Sequence, residues 1–453
     1  MKVLLVSANT ETSPYPVYPL GIDYVAGLIG GRHRVFIADM NQDGETGTLG
    51  SRIRAIAPDV VGFSIRNIDN TDVKTPRTYL DHYKSLVGEI RRETSAPVVL
   101  GGSGFTLFPE ELLDALQADY GIVGEGERFG HFLDAYEKKA DVSGLEGVIR
   151  PGASSPEGPS APRPWDGGIS RRFDPESPHV NYYLKRGGML NLQTKRGCPF
   201  HCIYCTYPLI EGKRLRLEHP SAVAETARGL QAAGAKYLFI TDSVFNSDYD
   251  HSLEVARAFR KSGVSIPWGA YVAPTRPPPC YFRELAKAGM THVEFGTEAI
   301  SDTILENYRK PFRAVDVHHA HKAAIDAGLN AAHFFLSGAP AETPQTLAET
   351  LENAELLEKS ACFFFTGIRV YPGTRLHEIA LASGQVTAGT NLLTPYFFRP
   401  EGISLEKIGE TLQERSRNRV NWIFGGGGEE MTAIVSRLHA RGHAGPLWEH
   451  LVR

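Results

Sequence analysis

Three of the five cysteines in this 453-residue chain lie together, at Cys198, Cys202 and Cys205. Their C-x3-C-x2-C spacing places three thiols on one short loop. Three thiolates on one loop can each hold one iron of a [4Fe–4S] cube, and no fourth cysteine stands near enough in sequence to complete the set. The spacing therefore predicts an iron–sulfur cluster whose fourth iron is open for another ligand.

Two other uses of these cysteines stay open, although both are less favoured. A zinc site could take His201 as its fourth ligand, but structural zinc is normally held by paired Cys or Cys/His sets. A disulfide framework is typical of short, cysteine-rich secreted chains. This chain is long and cysteine-poor, and its first residues, Met1–Val6, indicate a strand instead of a cleavable signal.

Length and charge narrow the class of protein further. A chain of 453 residues predicts two or three domains. The formal net charge is −4, and the chain has no block of basic residues. A nucleic-acid partner is therefore not expected. No apolar run approaches the roughly 20 residues that a membrane span needs. We therefore expect a cytoplasmic protein without a membrane span, in a compartment where cluster thiols stay reduced.

Residues 1–150 alternate short apolar strands with amphipathic helices, a pattern that predicts an α/β domain with a doubly wound, Rossmann-like parallel sheet. The predicted strands are Val3–Ser7, Arg34–Ile37, Val60–Ser64, Pro97–Leu100 and Tyr120–Val123. Ligands of such sheets bind beyond the carboxyl ends of the strands. The candidate binding residues in the loops there are Ser64, Arg66, Asn67, Gly101, Gly102, Ser103, Gly124, Glu125 and Gly126.

The remainder of the chain divides into three predicted parts. Residues 151–185 are predicted to form a linker, because residues 152–164 are rich in Pro, Gly and Ser. Residues 186–385 resume the alternation as a partial (β/α)6 barrel, and residues 386–453 form a small, mainly helical region with helices near 405–423 and 430–438. The predicted barrel strands are Met189–Gln193, Tyr237–Thr241, Ile266–Tyr271, His292–Gly296, Asn330–Leu336 and Phe363–Val370.

The cysteine loop and the barrel that follows it resemble the radical S-adenosylmethionine (SAM) superfamily. The resemblance implies that SAM occupies the open iron and that Tyr204 lies beside its adenine. It implies further contacts from Asp242 to the SAM amino group and from Glu298 to the ribose hydroxyls. Ser337 and Arg369 are additional predicted SAM contacts. For Asp242, an ordinary turn or helix-cap role is equally open.

The first domain resembles the B12-binding domain of cobalamin-dependent radical SAM enzymes, on the runs Val99–Gly102 and Gly124–Glu127. It lacks the D-x-H-x-x-G signature that places a histidine below cobalt. We therefore expect base-off cobalamin without a histidine ligand, with Arg66 or Asn67 facing the lower side of the corrin. An ion-paired loop role is the alternative for Arg66.

The resemblance implies a radical C-methyltransferase that acts on an unactivated carbon of a small molecule, such as a lipid, an aromatic metabolite or a natural-product intermediate. Its implied cofactors are a [4Fe–4S] cluster, SAM and cobalamin, with a flavodoxin or ferredoxin as electron donor. Radical cyclisation, ring rearrangement or oxidation with the same cofactors is the alternative, and a B12 sensor is a more distant one. The sequence assigns no general acid or base.

Overall fold

The structure is a computed structural model that describes residues 1–42, 49–152, 171, 173 and 178–452. Its framework is a six-stranded sheet in the first part of the chain and a seven-stranded sheet in the second, which confirms the predicted α/β class. The predicted linker falls largely outside the described residues. A helix does occupy its last residues, 178–185. No described helix is long and apolar enough to cross a membrane.

The first sheet has the strand order β2-β1-β3-β4-β5-β6. Its first five strands are parallel, and β6 runs antiparallel to β5. The strand order reverses between β1 and β3, where open α/β sheets leave a ligand-binding crevice. The strands are β1 (Lys2–Ser7), β2 (Arg34–Asp39), β3 (Val60–Ser64), β4 (Val98–Gly101), β5 (Tyr120–Ile122) and β6 (Val148–Ile149).

Helices cover both faces of the first sheet. One face packs against α1 and α6, and the other against α2, α3 and α5. The apolar positions of α3, Tyr83, Leu86, Val87 and Ile90, recur every three or four residues and form a single buried stripe. The helices are α1 (Leu20–Ile29), α2 (Leu49–Ile56), α3 (Leu80–Glu93), α4 (Ser103–Leu107), α5 (Pro109–Leu116) and α6 (Glu127–Glu137).

The second sheet is a partial barrel of parallel strands in the order β15-β14-β13-β12-β11-β10-β7. A short antiparallel ribbon, β8 (Lys195–Arg196) with β9 (Arg216–Leu217), brackets the cysteine loop. The barrel strands are β7 (Met189–Leu192), β10 (Tyr237–Ile240), β11 (Trp268–Val272), β12 (Met290–Glu298), β13 (Asn330–Ser337), β14 (Ser360–Thr366) and β15 (Trp422–Phe424).

Helices follow the barrel strands, and two more lie in the C-terminal region. Those before and within the barrel are α7 (Pro178–Lys185), α8 (Tyr207–Ile210), α9 (Pro220–Ala232), α10 (Tyr249–Ser262), α11 (Tyr281–Lys287), α12 (Asp302–Asn307), α13 (Ala314–Asp326), α14 (Pro344–Ala354) and α15 (Arg375–Ala382). The C-terminal helices are α16 (Leu405–Ser416) and α17 (Gly428–Ala440), followed by a short 3-10 helix at Trp448–Leu451.

The C-terminal region differs from its prediction in one element. The expected helix at 405–423 ends at Ser416, and its last residues form part of β15, a seventh barrel strand paired with β14. A strand of three residues is too short for an alternating pattern to reveal. It forms because the edge of β14 offers a ladder of backbone hydrogen-bond partners.

The carboxyl-terminal edges of the two sheets face each other. Glu127, after β5, accepts a hydrogen bond at 2.7 Å from Arg196, after β7. Asp69, after β3, pairs at 2.9 Å with Arg369, after β14. Each sheet therefore presents its ligand-binding edge to the same space between the two halves of the chain.

Candidate cofactor site

Local backbone contacts hold the cysteine loop in a fixed shape. The Gly197 N–H donates to a carboxylate oxygen of Glu211 at 3.1 Å, and the Cys198 N–H donates to the Gly212 carbonyl at 3.1 Å. Gly197 has φ +88°, and an added Cβ would lie 2.2 Å from the Arg214 carbonyl oxygen. Only glycine fits there, so the turn that begins the loop depends on this residue.

The three thiols share one buried environment. Burial, together with the nearby Cys202 and Cys198 sulfurs, raises the pKa of Cys205 to about 12. Three adjacent thiolates in such a place repel one another and need compensating positive charge. Bound iron would supply that charge. Within the described residues, no three His, Cys, Asp or Glu side chains converge as a single metal ion would require.

Tyr204, Glu298 and Lys310 form a charged group beside the cysteine loop. The Lys310 ammonium donates to Glu298 at 3.0 Å and lies 5.3 Å from the Tyr204 ring centre. Glu298 has φ +63° at an irregularity in the β12–β13 pairing, which turns its side chain away from the strand pattern. Sequence reasoning paired Glu298 with SAM but missed Lys310, which lies twelve residues later and meets it only in the folded chain.

Asp242 is held by hydrogen bonds within the chain, and its contact with SAM stays a prediction. Asp242 is fully buried, and its carboxylate accepts hydrogen bonds from the Thr194 N–H and hydroxyl at 2.7 and 2.6 Å. The Lys195 ammonium donates to the same carboxylate at 3.0 Å. These bonds fix the strand end before the cysteine loop. The alternative structural role of Asp242 is therefore the one that the geometry supports.

Arg369 is also engaged by the chain itself. Its guanidinium donates to Asp69 at 2.9 Å and to the carbonyls of Val370 and Leu392 at 2.5 Å each. The pair with Asp69 is almost completely buried and joins the two halves of the chain. The structure thus makes Arg369 a contact between the two halves of the chain, and its contact with SAM stays a prediction. Ser337 ends β13 beside Thr366, at the barrel edge where the prediction put it.

An apolar pocket of about 200 Å³ opens beside the first sheet, at the crevice between β1 and β3. Its walls come from the sheet and from α1 and α6, and the residues that line it carry no charge. Six of the nine predicted loop residues line this pocket. They are Ser64, Gly101, Gly102, Ser103, Gly124 and Gly126.

The pocket glycines do not all act for the same reason. Gly102 has φ +101°, and an added Cβ would lie 2.5 Å from the Ile65 carbonyl oxygen, so this glycine serves the packing of its own loop. A Cβ added at Gly124 would lie 2.7 Å from the Arg128 side chain, and one added at Gly126 would lie 2.5 Å from the Val25 side chain. At Gly101 the nearest atom would be the Ile122 carbonyl oxygen at 3.9 Å, so its missing side chain leaves open space in the pocket.

Glu125 is drawn away from the pocket into the contact between the two sheets. Its carboxylate pairs with Arg196 at 3.6 Å and with Arg216 on the β8–β9 ribbon. These two arginines flank the cysteine loop in sequence. In the structure the charge of Glu125 couples the first sheet to the β8–β9 ribbon, and its contact with cobalamin stays a prediction.

Arg66 and Asn67 follow β3 at the space between the sheets. The Asn67 amide donates to Asn9 at 3.3 Å, and its backbone carbonyl accepts from Tyr83 at 2.6 Å. Arg66 is exposed, and its guanidinium makes no hydrogen bond or ion pair with the described part of the chain. The alternative role of Arg66, as an ion-paired loop residue, therefore has no supporting partner among the described residues.

Two tyrosines missed by sequence reasoning line the same space. Tyr207 and Tyr271 expose 39% and 42% of their surface, yet burial raises the pKa of both hydroxyls well above the usual range. Tyr271 lies within a barrel strand, on the face opposite to Ala270 and Val272, which pack in the core under the helices, so its exposed surface lies inside the barrel. Nearby Arg66 lowers the pKa of both, and Cys205 raises that of Tyr207. We call this space, bounded by Arg66, Tyr207 and Tyr271, the central chamber.

Two family models match the chain. The B12 binding domain matches residues 6–130, and the radical SAM superfamily domain matches residues 192–354. An uncharacterized methyltransferase of Pyrococcus horikoshii is 29% identical over 402 residues, which are 84% of each chain. Tryptophan 2-C-methyltransferase of Streptomyces laurentii is 25% identical over 440 residues, covering 82% of this chain and 73% of the relative.

Solved structures show the same fold. The radical SAM methyltransferase TsrM of Kitasatospora setae, with tryptophan and a SAM analogue bound, matches with a TM-score of 0.89 at 22% identity, over 99% of this chain and 97% of that one. The cobalamin-dependent enzyme OxsB matches with a TM-score of 0.70 at 14% identity, over 92% and 67%. The chain therefore has a B12 binding domain followed by a radical SAM superfamily domain, and its fold is that of these cobalamin-dependent enzymes.

Proposed function

We propose that this protein is a cobalamin-dependent radical SAM methyltransferase that methylates carbon in a small molecule. The observation that carries the proposal is the set of ion pairs between the two candidate cofactor sites. Glu125 and Glu127, after β5 of the first sheet, pair with Arg196 and Arg216, which flank the cysteine loop. These pairs support a single central chamber in which a substrate can meet both cofactors.

Each site has residues that fit its cofactor. Cys198, Cys202 and Cys205 would hold the cluster, with Tyr204 and Glu298 beside SAM. The uncharged pocket at Gly101 would hold the nucleotide tail of cobalamin. When bound, these groups supply radical generation from SAM and a cobalt-bound methyl carrier. The protein positions the substrate and excludes water from the chamber.

We place Arg66 at the lower face of cobalamin. Its position after β3 supports this assignment, and so does its guanidinium, which has no partner among the described residues. A fixed positive charge there disfavours coordination of a nitrogen base and makes the bound methyl group more electrophilic. Asn67 would hold the loop through its bonds to Asn9 and Tyr83.

The proposed domains are residues 1–150 for cobalamin, 151–185 as the linker, 186–385 for the cluster and SAM, and 386–453 for substrate capping. The proposed partners are a small-molecule substrate and a flavodoxin or ferredoxin in the cytoplasm. Cyclisation is the second candidate. The anaerobic magnesium-protoporphyrin IX monomethyl ester cyclase of Rubrivivax gelatinosus is 24% identical over 384 residues, 78% of this chain and 65% of the relative.

Anaerobic turnover with SAM labelled in its methyl group tests the proposal. Reconstituted enzyme, reductant and candidate lipids, aromatic metabolites and tryptophan are incubated together, and mass spectrometry follows the label. Labelled methyl on a product carbon supports methylation. An unlabelled product that has gained a ring or lost hydrogen supports the second candidate and contradicts the first. Omitting cobalamin should abolish methylation.

A further inference from the structure

Glu294 is a buried carboxylate inside the barrel to which no role has been assigned above. It lies on β12 directly beside Tyr271 of β11, so both side chains point to the same face of the sheet. Tyr271 borders the central chamber. Glu294 therefore faces the floor of that chamber, below the strand end that carries Glu298.

The carboxylate of Glu294 is only half satisfied. The indole N–H of Trp448 donates to Oε1 at 3.0 Å, and the described residues provide no donor for Oε2. Burial raises the pKa of Glu294 to about 7, and no described cation acts against that effect. The neighbouring His292 is 3.1 Å from Glu449 and pairs with that carboxylate instead. A buried carboxylate without a cation is neutralised by a proton or by a bound cation, so above pH 7 an ammonium ligand would be favoured here.

Aromatic rings complete the surroundings of this carboxylate. Tyr271 packs against Phe239 with ring centres 4.9 Å apart, and Tyr15 reaches in from the β1–α1 loop to pack against the same strand. Tyr271 is the strand partner of Glu294, and the charge of Glu294 raises the pKa of both tyrosine hydroxyls. Aromatic rings beside a carboxylate are an arrangement that can recognise an ammonium group.

We propose that Glu294 binds a protonated amine of the substrate, so that the substrate class is an organic amine with an apolar or aromatic body. This inference rests on the proposed function only in taking the central chamber as the substrate site. The carboxylate anchors the ammonium at the floor, and the apolar body extends past Tyr271 toward the cofactor sites. Glu294 is a binding residue in this assignment and takes no part in bond breaking.

Matched pairs of amines and alcohols test the assignment. Tryptamine with tryptophol, and tyramine with tyrosol, differ in carrying an ammonium or a hydroxyl on the same body. Calorimetric titration of the full-length, cluster-reconstituted and cobalamin-loaded protein at pH 8 under anaerobic conditions should show at least one amine binding tenfold or more tightly than its alcohol. Glu294→Gln should remove that preference while leaving alcohol affinity unchanged, since glutamine can still accept from Trp448.

Glu449→Gln is the matched control, because it neutralises a neighbouring carboxylate that already pairs with His292. It should keep the amine preference. The assignment is overturned if no amine binds, if amines and alcohols bind alike, if Glu294→Gln keeps the preference, or if Glu449→Gln removes it equally. Amine-selective binding without any transfer of labelled methyl would support this site and contradict the proposed methylation, so the two failures are distinct.

Discussion

The surroundings of the cysteine loop, called here the cluster side, and the pocket of the first sheet, called here the cobalamin side, differ in how charge is distributed. Beside the cysteines, buried charges are neutralised within the chain, as in the pairs Lys310–Glu298 and Lys195–Asp242. The pocket in the first sheet is uncharged and shaped by glycine and apolar side chains. Substitutions should therefore act through lost charge balance on the first side and through lost volume on the second.

The largest effect is expected from removing the cluster ligands. Replacing Cys198, Cys202 and Cys205 together with Ala should abolish iron–sulfur absorption and all SAM cleavage, because no thiolate remains to hold iron. Cobalamin binding should persist, since the pocket lies in the other sheet. Cys280→Ala removes an exposed cysteine and should leave absorption unchanged. Cluster absorption in the triple variant would refute the ligand assignment.

The second largest effect is expected from breaking the buried Arg369–Asp69 ion pair, which joins the two halves of the chain. Arg369→Met leaves Asp69 buried without its partner, which costs about 3–5 kcal/mol of unfolding free energy. Urea denaturation measures the loss. The control is Lys322→Ala, which breaks an exposed helical pair with Asp326 and should change stability by about 0.5 kcal/mol or less. Adding Asp69→Asn to Arg369→Met should recover part of the loss. Equal effects of Arg369→Met and Lys322→Ala would contradict an interdomain role.

The buried carboxyl of Glu294 should make the stability of the protein depend on pH. Its pKa of about 7 lies above the ordinary value of a Glu carboxyl, so the folded state holds a proton that the unfolded state releases. The resulting stability is present below about pH 4.5 and is lost as pH rises toward 7, by roughly 3 kcal/mol. The difference in unfolding free energy between wild type and Glu294→Gln should therefore change across this range. If this difference in unfolding free energy did not change with pH, the pKa of Glu294 would be that of an ordinary glutamate carboxyl.

The sequence predicted the strands well because alternating apolar runs and strand-end glycines are local signals. It also predicted the cysteine loop, whose ligands lie close together in sequence. It could not show partners that are distant in sequence, as for Arg369, which meets Asp69 across 300 positions. The half-satisfied carboxylate of Glu294 was equally hidden, since its one described donor is Trp448 from the far end of the chain. Only the fold reveals which charges are already satisfied.

On the cobalamin side, the prediction concerns volume. Gly101→Val places a side chain in the open space of the pocket and should weaken cobalamin binding at least tenfold, about 1.4 kcal/mol, with little loss of stability. Gly101→Ala should have a smaller effect. Gly102→Val should instead destabilise the fold, because its Cβ would meet the Ile65 carbonyl oxygen. Equilibrium titration and thermal unfolding separate the two outcomes. Unchanged cobalamin affinity in Gly101→Val would place the cofactor elsewhere.

Substitutions of Arg66, the charged residue on the cobalamin side, are expected to change cobalamin affinity least. With its guanidinium below the corrin, no nitrogen should coordinate cobalt, and the paramagnetic resonance spectrum of the Co(II) form should lack nitrogen superhyperfine splitting. Arg66→Lys keeps the charge but loses the planar donor fork, so methylation should fall more than cobalamin affinity. Nitrogen splitting in the wild type would contradict the assignment. So would an Arg66→Ala variant whose spectrum and turnover match the wild type, because the charge would then lie outside the reach of cobalt.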